Sequence, residues 1–224
     1  MCIGIIMDGN RRWAKEHKLL TLEGHRRGMD NVEPIVLAAR DFGIQHIVVY
    51  AFSTENWNRS TREVSYLINL FEEMLPAYLT RLVKEGVRIR FVGQRERFSS
   101  KLQSVMQHAE RNTSIEQKIT LWICLSYGGR ADIVQAAQSL AAEDEEITEE
   151  SLNHHLWTTN FSGSMPDPDL IIRTGGEHRL SNFLLWQGAY SELFFPQQYW
   201  PAFTKEHLKE ILKDFARRER RMGK

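Results

Sequence analysis

An α/β fold with a mainly parallel central sheet ringed by helices is what this sequence predicts, on three observations. Short runs rich in Ile and Val alternate with longer amphipathic segments, the pattern of strands and helices in alternation. No stretch reads as an interdomain linker, and 224 residues suffice for one substantial core, so 1–224 is expected to form a single domain. Glycines, hydroxyls, amides and arginines gather directly after the apolar runs, where open parallel sheets bind their ligands.

The first strand is expected over IGIIM (3–7), running into Asp8-Gly9-Asn10-Arg11-Arg12-Trp13. A helical pattern covers 25–42. The second strand, HIVVYAF (46–52), ends in Ser53-Thr54-Glu55-Asn56-Trp57-Asn58-Arg59. Over 61–84 the positions Val64, Leu67, Ile68, Phe71, Met74, Leu75, Tyr78, Leu79 and Leu82 follow the 3-4 spacing of one helix face. Gly86 is a suitable stop, and Pro76, lacking an N–H and clashing with the preceding turn, is expected to kink this helix. VRIRFVG (87–93) is the third strand and 98–112 the next helix. ITLWICL (119–125) leads into Ser126-Tyr127-Gly128-Gly129-Arg130, and a helix is expected at 130–142. The acidic run AAEDEEITEE (141–150) reads as a solvated loop entering a helix at 149–157. SGSMPDPD (162–169) is a connection, LIIR (170–173) and ELFF (192–195) are the remaining strands, and a last helix lies near 204–220.

Twenty-nine basic and twenty-nine acidic residues leave no global field to gather nucleic acid or to hold the protein on an anionic membrane. Any anion site is therefore local. Cys2 and Cys124 are too few for a disulfide framework and fit a reducing, cytoplasmic setting. With no apolar window of about 18 residues and no signal-peptide pattern, membrane contact is expected to be peripheral at most. The nucleotide-binding patterns Gly-x-x-x-x-Gly-Lys-Ser/Thr and Gly-x-Gly-x-x-Gly are missing, which argues against an ordinary NTPase or a dinucleotide enzyme. Ser53 lacks the Gly-x-Ser-x-Gly elbow of a nucleophile.

Glycine lets backbone amides approach an anion, and arginine presents a planar fork matching phosphate oxygens. DGNRR (8–12) and RTGGEHRLS (173–181) therefore suggest two phosphate or diphosphate groups. Taken singly, each also suits an ordinary turn with a solvated arginine; together, at neighbouring strand ends, they point to a site. A carboxylate among anion-binding groups is repelled by the ligand unless a cation lies between them, which makes Asp8 a magnesium candidate. Glu192 and Glu177 are weaker ones. His25 and His178 could move protons or bind diphosphate.

These segments resemble the cis-prenyltransferase family, in its bacterial long-chain branch. The likeness runs through IIMDGNRRWAK (5–15), GHRRG (24–28), YAFSTENWNR (50–59), EVSYL (63–67), SYGGR (126–130), DPDLIIRTGGEHRLSNFLLWQ (167–187), YSELFF (190–195) and RRERRMG (217–223). It implies a sheet with an elongated apolar cavity, a homodimer, and Mg²⁺-dependent condensation of isopentenyl diphosphate onto an allylic diphosphate such as farnesyl diphosphate. The implied product is undecaprenyl diphosphate, of about eleven isoprene units, a lipid carrier precursor for cell-wall synthesis. It also assigns roles. Asp8 holds the magnesium, with Glu192 helping to place it. Gly9, Asn10, Arg11, Arg12 and Trp13 bind the allylic diphosphate with His25 and Arg59 nearby, His25 counting among the catalytic groups. Arg173, Arg179 and Ser181 bind isopentenyl diphosphate. Ser53, Asn56 and Trp57 close over the substrates on a loop anchored by Glu63, Ser53 and Asn56 assisting proton loss. Arg221-Met222-Gly223 matches a C-terminal pattern implied to reach the neighbouring subunit.

A long apolar cavity is expected between the helix at 61–84 and strands 46–52 and 119–125, with Ala51, Leu67, Leu70, Phe71, Ile119, Leu121 and Ile123 as lining candidates. The sequence departs from the family at two sites: Arg11 replaces a frequent glycine, and Thr21 replaces an arginine common in bacterial members. Arg11 is expected to compensate for that lost charge. Leu125, where a small residue is common, is expected to narrow the cavity, which leaves a shorter product open. A non-catalytic partner subunit is a further reading, against which stand the intact Asp8, Arg173, Arg179, Ser181 and Glu192.

Overall fold

The computed structural model describes residues 1–113, 118–159 and 164–218. The strands are β1 (Cys2–Ile6), β2 (His46–Ser53), β3 (Val87–Val92), β4 (Ile119–Tyr127), β5 (Leu170–Arg173) and β6 (Glu192–Phe194). They form one sheet in the order β3-β4-β2-β1-β5-β6, and every pairing is parallel. The helices are α1 (Asn10–Glu16), α2 (Thr21–Asp30), α3 (Val32–Asp41), α4 (Thr61–Lys84), α5 (Ser100–Asn112), α6 (Gly129–Ala142), α7 (Glu149–His155) and α8 (Lys205–Arg217). The expected α/β architecture is the one observed.

The inner strands β4, β2, β1 and β5 carry little polar alternation because both faces of the sheet are covered there, whereas the edge strand β3 alternates with Arg88 and Arg90. β4, with neighbours on both sides, is buried at all nine positions. One face packs Ile3, Ile5, Val49, Leu121 and Ile123 against α3, α4, α5 and α8; the other packs Cys2, Ile6, Val48, Trp122 and Cys124 against Phe183 and Leu184. Burying an aliphatic side chain of this size contributes about 1.5–3 kcal/mol, so the two layers hold the strand ends in fixed register.

The helix expected over 25–42 is two helices, starting earlier and parting at Asn31. The Asn31 amide donates to the carbonyls of Trp200 (2.7 Å) and Phe203 (2.9 Å). A tertiary contact thus interrupts a continuous helical pattern. α1 was not anticipated, since a turn seemed the natural reading of Asp-Gly. α4 spans 61–84 as expected and continues through Pro76, where Thr80 Oγ1 donates to the Pro76 carbonyl over 2.8 Å. Residues 141–150 are exposed throughout, as expected of a solvated loop. Residues 162–163 of the 162–169 connection and the Arg221-Met222-Gly223 pattern lie outside the described residues. Among the described residues, no helix is long and apolar enough to cross a membrane.

Candidate active site

Asp8 lies two residues beyond β1, and the chain turns there into α1. Gly9 makes the turn with φ of 99°, and a Cβ at this position would lie 2.5 Å from the Tyr199 ring, so glycine is required by conformation and by space. Its amide donates to Asp8 Oδ1 over 2.6 Å. Arg173, at the end of the adjacent β5, donates to Asp8 Oδ2 from Nη2 (2.8 Å) and Nε (3.2 Å). Arg12 Nη2 stands 3.4 Å from Oδ1. Burial pushes the Asp8 carboxyl up, but the hydrogen bonds and charge of Arg173, the Gly9 amide and Arg12 outweigh it and hold the pKa below the ordinary carboxylate value.

The same Arg173 reaches the 179–181 segment. Its Nη1 donates to the Arg179 carbonyl and to Ser181 Oγ, each over 2.6 Å, and its side chain is only 6% exposed. Arg12 crosses the mouth in the other direction, donating to the Gly175 carbonyl (2.9 Å) and Glu177 Oε1 (3.2 Å). A Cβ on Gly175 would come within 2.8 Å of the Arg12 guanidinium. Arg179 is exposed and pairs with Glu177 at 2.5 Å. Asp8, Arg12, Arg173, Arg179 and Ser181 are therefore linked through direct polar contacts across residues far apart in sequence.

Across the cleft, Glu63 of α4 is the hub. Arg59 Nη1 lies 3.0 Å, His25 Nε2 3.4 Å and Arg11 Nη1 3.9 Å from its carboxylate. Glu63 is 14% exposed and Arg11 62%. Burial, then the charge of Arg59, lower the His25 pKa against the opposing pull of Glu63, so the imidazole is neutral at pH 7. The His25–Glu63 contact lacks hydrogen-bond geometry: His25 Nε2 and Asn10 Oδ1 are buried atoms without a hydrogen-bond partner. Both residues line the cleft. Buried polar atoms left unsatisfied cost stability and call for a ligand or water.

The loop after β2 closes one side. Ser53 and Asn56 form a reciprocal cap, with the Ser53 amide donating to Asn56 Oδ1 at 3.1 Å. Both line the cleft with Glu55, Arg59, Arg173, Ser181 and Asn182. Asn182 Nδ2 donates to Glu55 Oε1 over 2.7 Å, and its Oδ1 accepts from the Arg130 amide over 2.9 Å. Tyr50 donates to the Tyr127 carbonyl (3.2 Å). The sequence reading did not single out Tyr50, Glu55, Asn182 or Tyr199; the first three stand in quoted segments and Tyr199 outside them, and nothing local distinguishes any of them from its neighbours.

Behind the polar cleft an apolar tunnel opens along α4. Its walls come from α2, α3, α4, β2 and β4, and Met7, Asn10, His25, Tyr50, Ala51 and Leu67 line both tunnel and cleft. β2 changes register with β4 between Tyr50 and Phe52, an irregularity that places Ala51 at this junction. Leu67, Leu70, Phe71, Leu121, Ile123 and Leu125 line the tunnel as expected, whereas Ile119 lies in the core at the start of β4, outside the lining.

Three expected residues are placed elsewhere. Trp13 stacks on His17, with centroids 4.2 Å apart, on another side of α1, because residues adjacent in a helix point about 100° apart. Trp57 donates to Ser126 Oγ over 2.9 Å and packs against Phe52 and Phe98, holding the loop rather than lining the cleft. Glu192 opens β6. It pairs with Leu170, which in turn pairs with Ile3, so it stands level with Ile3 and five residues back from Asp8, ~16 Å along the strands at ~3.3 Å per residue. Its partner is Arg218, at 2.7 Å. One chain does not bring Asp8 and Glu192 to one ion.

An ionised carboxylate facing a cleft lined by arginines fits a hard cation whose remaining ligands are diphosphate oxygens and waters, since Mg²⁺ takes one or two carboxylates in such sites. Asp8, which lies between the two arginine-lined halves, fits that description. The described residues gather three potential metal-ligating groups only at Glu143, Glu145 and His155, on the 143–155 segment and not in the cleft.

Comparison with known proteins agrees with this geometry. Residues 6–223 match a family model described as undecaprenyl diphosphate synthase. An isoprenyl transferase of Neisseria meningitidis serogroup B is 46% identical over 223 residues, covering 99% of this chain and 88% of the relative. The ditrans,polycis-undecaprenyl-diphosphate synthase ((2E,6E)-farnesyl-diphosphate specific) of Pseudomonas aeruginosa is 44% identical over 229 residues, covering 99% and 90%. Among solved structures, lavandulyl diphosphate synthase from Lavandula x intermedia, in complex with dimethylallyl diphosphate, superimposes with a TM-score of 0.92 at 33% identity, covering 99% of this chain and 97% of the other.

Proposed function

The chain belongs to the undecaprenyl diphosphate synthase family of prenyltransferases, and on that premise we propose that it condenses isopentenyl diphosphate onto farnesyl diphosphate to build undecaprenyl diphosphate for cell-wall synthesis. The observation that carries this reading is the junction at Asp8. Two cation-lined halves of one cleft meet there, and the cleft opens at Ala51 and Leu67 into an apolar tunnel.

The allylic diphosphate belongs on the α1 side, where Gly9, Asn10, Arg11, Arg12, His25 and Arg59 surround a cavity and the tail can enter the tunnel. Isopentenyl diphosphate belongs beside Arg173, Arg179 and Ser181. When bound, Mg²⁺ on Asp8 neutralises charge on the departing diphosphate. Arg12 and Arg59 supply the same kind of stabilisation from the protein, aimed at charge that grows as the allylic bond breaks. The walls at Met7, Ala51 and Leu67 keep water from the allylic cation. Ser53 and Asn56 stand at the cleft wall, placed to assist loss of the proton to a diphosphate oxygen or water as the new double bond forms.

Two further parts of the reading concern assembly and place. Leu185, Tyr190 and Leu193 are exposed on and before the edge strand β6, which supports a homodimer through this edge and makes Glu192 an interface residue. Both cysteines are buried and unpaired, consistent with a single cytoplasmic domain spanning 1–224.

The test is one incubation of purified protein with farnesyl diphosphate, labelled isopentenyl diphosphate and Mg²⁺, with chelator and Asp8→Ala controls. A product ladder reaching about eleven units and abolished by both controls is expected. No incorporation with any allylic starter would overturn catalysis and leave a non-catalytic partner subunit. Leu125 in the tunnel lining favours a second reading, a shorter-chain synthase, which the same ladder separates by stopping early.

A further inference from the structure

We infer, on the reading that isopentenyl diphosphate binds beside Arg173, Arg179 and Ser181, that Glu55 and Asn182 are positioning residues for the condensation. Their hydrogen bond aligns the turn carrying Ser53 and Asn56 with the isopentenyl half of the cleft. β1 stands between β2 and β5 in the sheet, so no strand pairing joins the loops that follow β2 and β5. Side chains join them instead. Asn182 Nδ2 donates to Glu55 Oε1 over 2.7 Å, and the Tyr50 hydroxyl donates to the Ser181 carbonyl over 3.4 Å. On one side the pair leads to Ser181, whose Oγ accepts from Arg173 over 2.6 Å. On the other, Glu55 sits in the short turn Thr54–Asn58, fixed at its start by the reciprocal cap of Ser53 and Asn56. A shift of Ser181 toward a diphosphate moves Asn182, and with it the turn that bears Ser53 and Asn56.

The surroundings hold this bond in place. Asn182 has φ of 67°, a left-handed conformation that asparagine adopts more readily than most residues. Its carbonyl accepts from the Gly129 amide (2.7 Å) and its Oδ1 from the Arg130 amide (2.9 Å), which leaves Nδ2 facing Glu55. A Cβ on Gly128 would lie 2.5 Å from Thr54 Oγ1 and 2.6 Å from Asn182 Nδ2, so the glycine of the SYGGR segment leaves the room in which the two loops meet. Burial pushes the Glu55 carboxyl up, but hydrogen bonds from its own amide, Asn182, Ser53 and Thr54 hold its pKa below the ordinary value. It is therefore ionised at pH 7, and the bond from Asn182 is charge-assisted. Glu55 and Asn182 line the cleft with Arg173 and Ser181 but stand outside the cavity around Arg11 and Arg12, so the pair serves one substrate half and not the other.

Asn182→Asp keeps the oxygen that accepts from the Arg130 amide and sets a second carboxylate against Glu55. The KM for isopentenyl diphosphate is expected to rise about tenfold, the scale of one charged hydrogen bond. A lower kcat is expected with it, while the KM for the allylic diphosphate stays within about twofold of the parent. Loss of folded protein alone would lower kcat and move neither KM. Glu55→Gln combined with Asn182→Asp reverses the bond, the amide at position 55 donating to the carboxylate at 182. This double variant is expected to bring the KM for isopentenyl diphosphate back to within about twofold of the parent. Glu55→Ala combined with Asn182→Asp carries the same net charge, cannot form the bond, and is expected to keep the raised KM. Equal changes in both KM values, no change in either, or matching behaviour of the two double variants would overturn the assignment. A parent protein that condenses no isopentenyl diphosphate with any allylic starter would instead remove the enzymatic reading, and this assignment with it.

Discussion

Asp8 and Arg173 close the ends of adjacent parallel strands, and Arg173 Nη2 donates to Asp8 Oδ2 over 2.8 Å while its other nitrogens reach Ser181 and the Arg179 carbonyl. The carboxylate assigned to the metal is thus held by the arginine assigned to the second substrate. Removing either group disturbs both halves of the cleft.

Asp8→Asn keeps the size of the side chain and loses its charge. The turnover rate is expected to fall by at least ~100-fold, the scale seen when one charge-stabilising group is lost. Steady-state incorporation across a Mg²⁺ titration checks this; a rate restored at high Mg²⁺ would indicate weakened metal binding alone. Arg173 loses its partner, so a stability loss of about 1–3 kcal/mol in urea unfolding is also expected, toward the lower end because Asp8 is 30% exposed.

The pH dependence of that loss follows from the depressed Asp8 pKa. A carboxyl whose folded pKa lies below its unfolded value of about 3.9 contributes its full stabilisation above that pH and loses it as pH falls through the folded pKa. The stability gap between parent and Asp8→Asn is therefore expected to stay constant from pH 7 to 5 and to shrink below about 4. A gap that closes near neutrality would contradict the assignment.

His25 gives a window of the same sign at higher pH. Its pKa is lowered by burial and by Arg59, so below about 6.5 the unfolded chain takes up a proton that the folded chain refuses. Stability then falls as pH falls through that range. His25→Gln is expected to flatten this part of the profile, measured by urea unfolding between pH 7.5 and 5.5. An unchanged slope would show that His25 titrates as it does in the unfolded chain.

Arg11 and Thr21 line the same cavity on the allylic side, which supports Arg11 as the replacement for the missing positive charge. Arg11→Gly is expected to raise the KM for the allylic diphosphate several-fold and to leave kcat nearly constant. The effect is bounded because exposed ion contacts contribute about 0–1 kcal/mol. A fall in kcat at constant KM would place Arg11 in the transition state instead.

Gly9 and Gly43 separate backbone strain from steric exclusion. Both have positive φ, 99° and 79°, but a Cβ at Gly43 meets nothing within 4 Å whereas one at Gly9 strikes Tyr199. Gly43→Ala is expected to cost about 1–2 kcal/mol, the left-handed penalty. Gly9→Ala is expected to cost more and to weaken diphosphate binding. Equal losses in thermal unfolding would mean that Tyr199 moves aside freely.

The inner strands were legible because each is a short apolar run covered on both faces, and α4 because its apolar positions keep the 3-4 spacing for about five turns. DGNRR and RTGGEHRLS were singled out because glycine and arginine carry anion-binding chemistry in their own structure, and the fold brings the two segments together at one cleft. The break at Asn31 was not, since it depends on the carbonyls of Trp200 and Phe203. Trp13 and Glu192 were misplaced for a related reason: standing in a motif fixes neither the helix side nor the strand level that a residue occupies.

The sequence by itself determined the alternation of strand and helix, the residue types at the strand ends, and the family they resemble. Those follow from local periodicity and side-chain chemistry. Only the tertiary structure decided that residues 8 and 173 touch, that Asp8 and Glu192 do not share an ion within one chain, and that Ala51 and Leu67 stand where the polar cleft meets the apolar tunnel. Such relations are set by strand register and by the packing of helices from distant segments, quantities with no local signature in the chain.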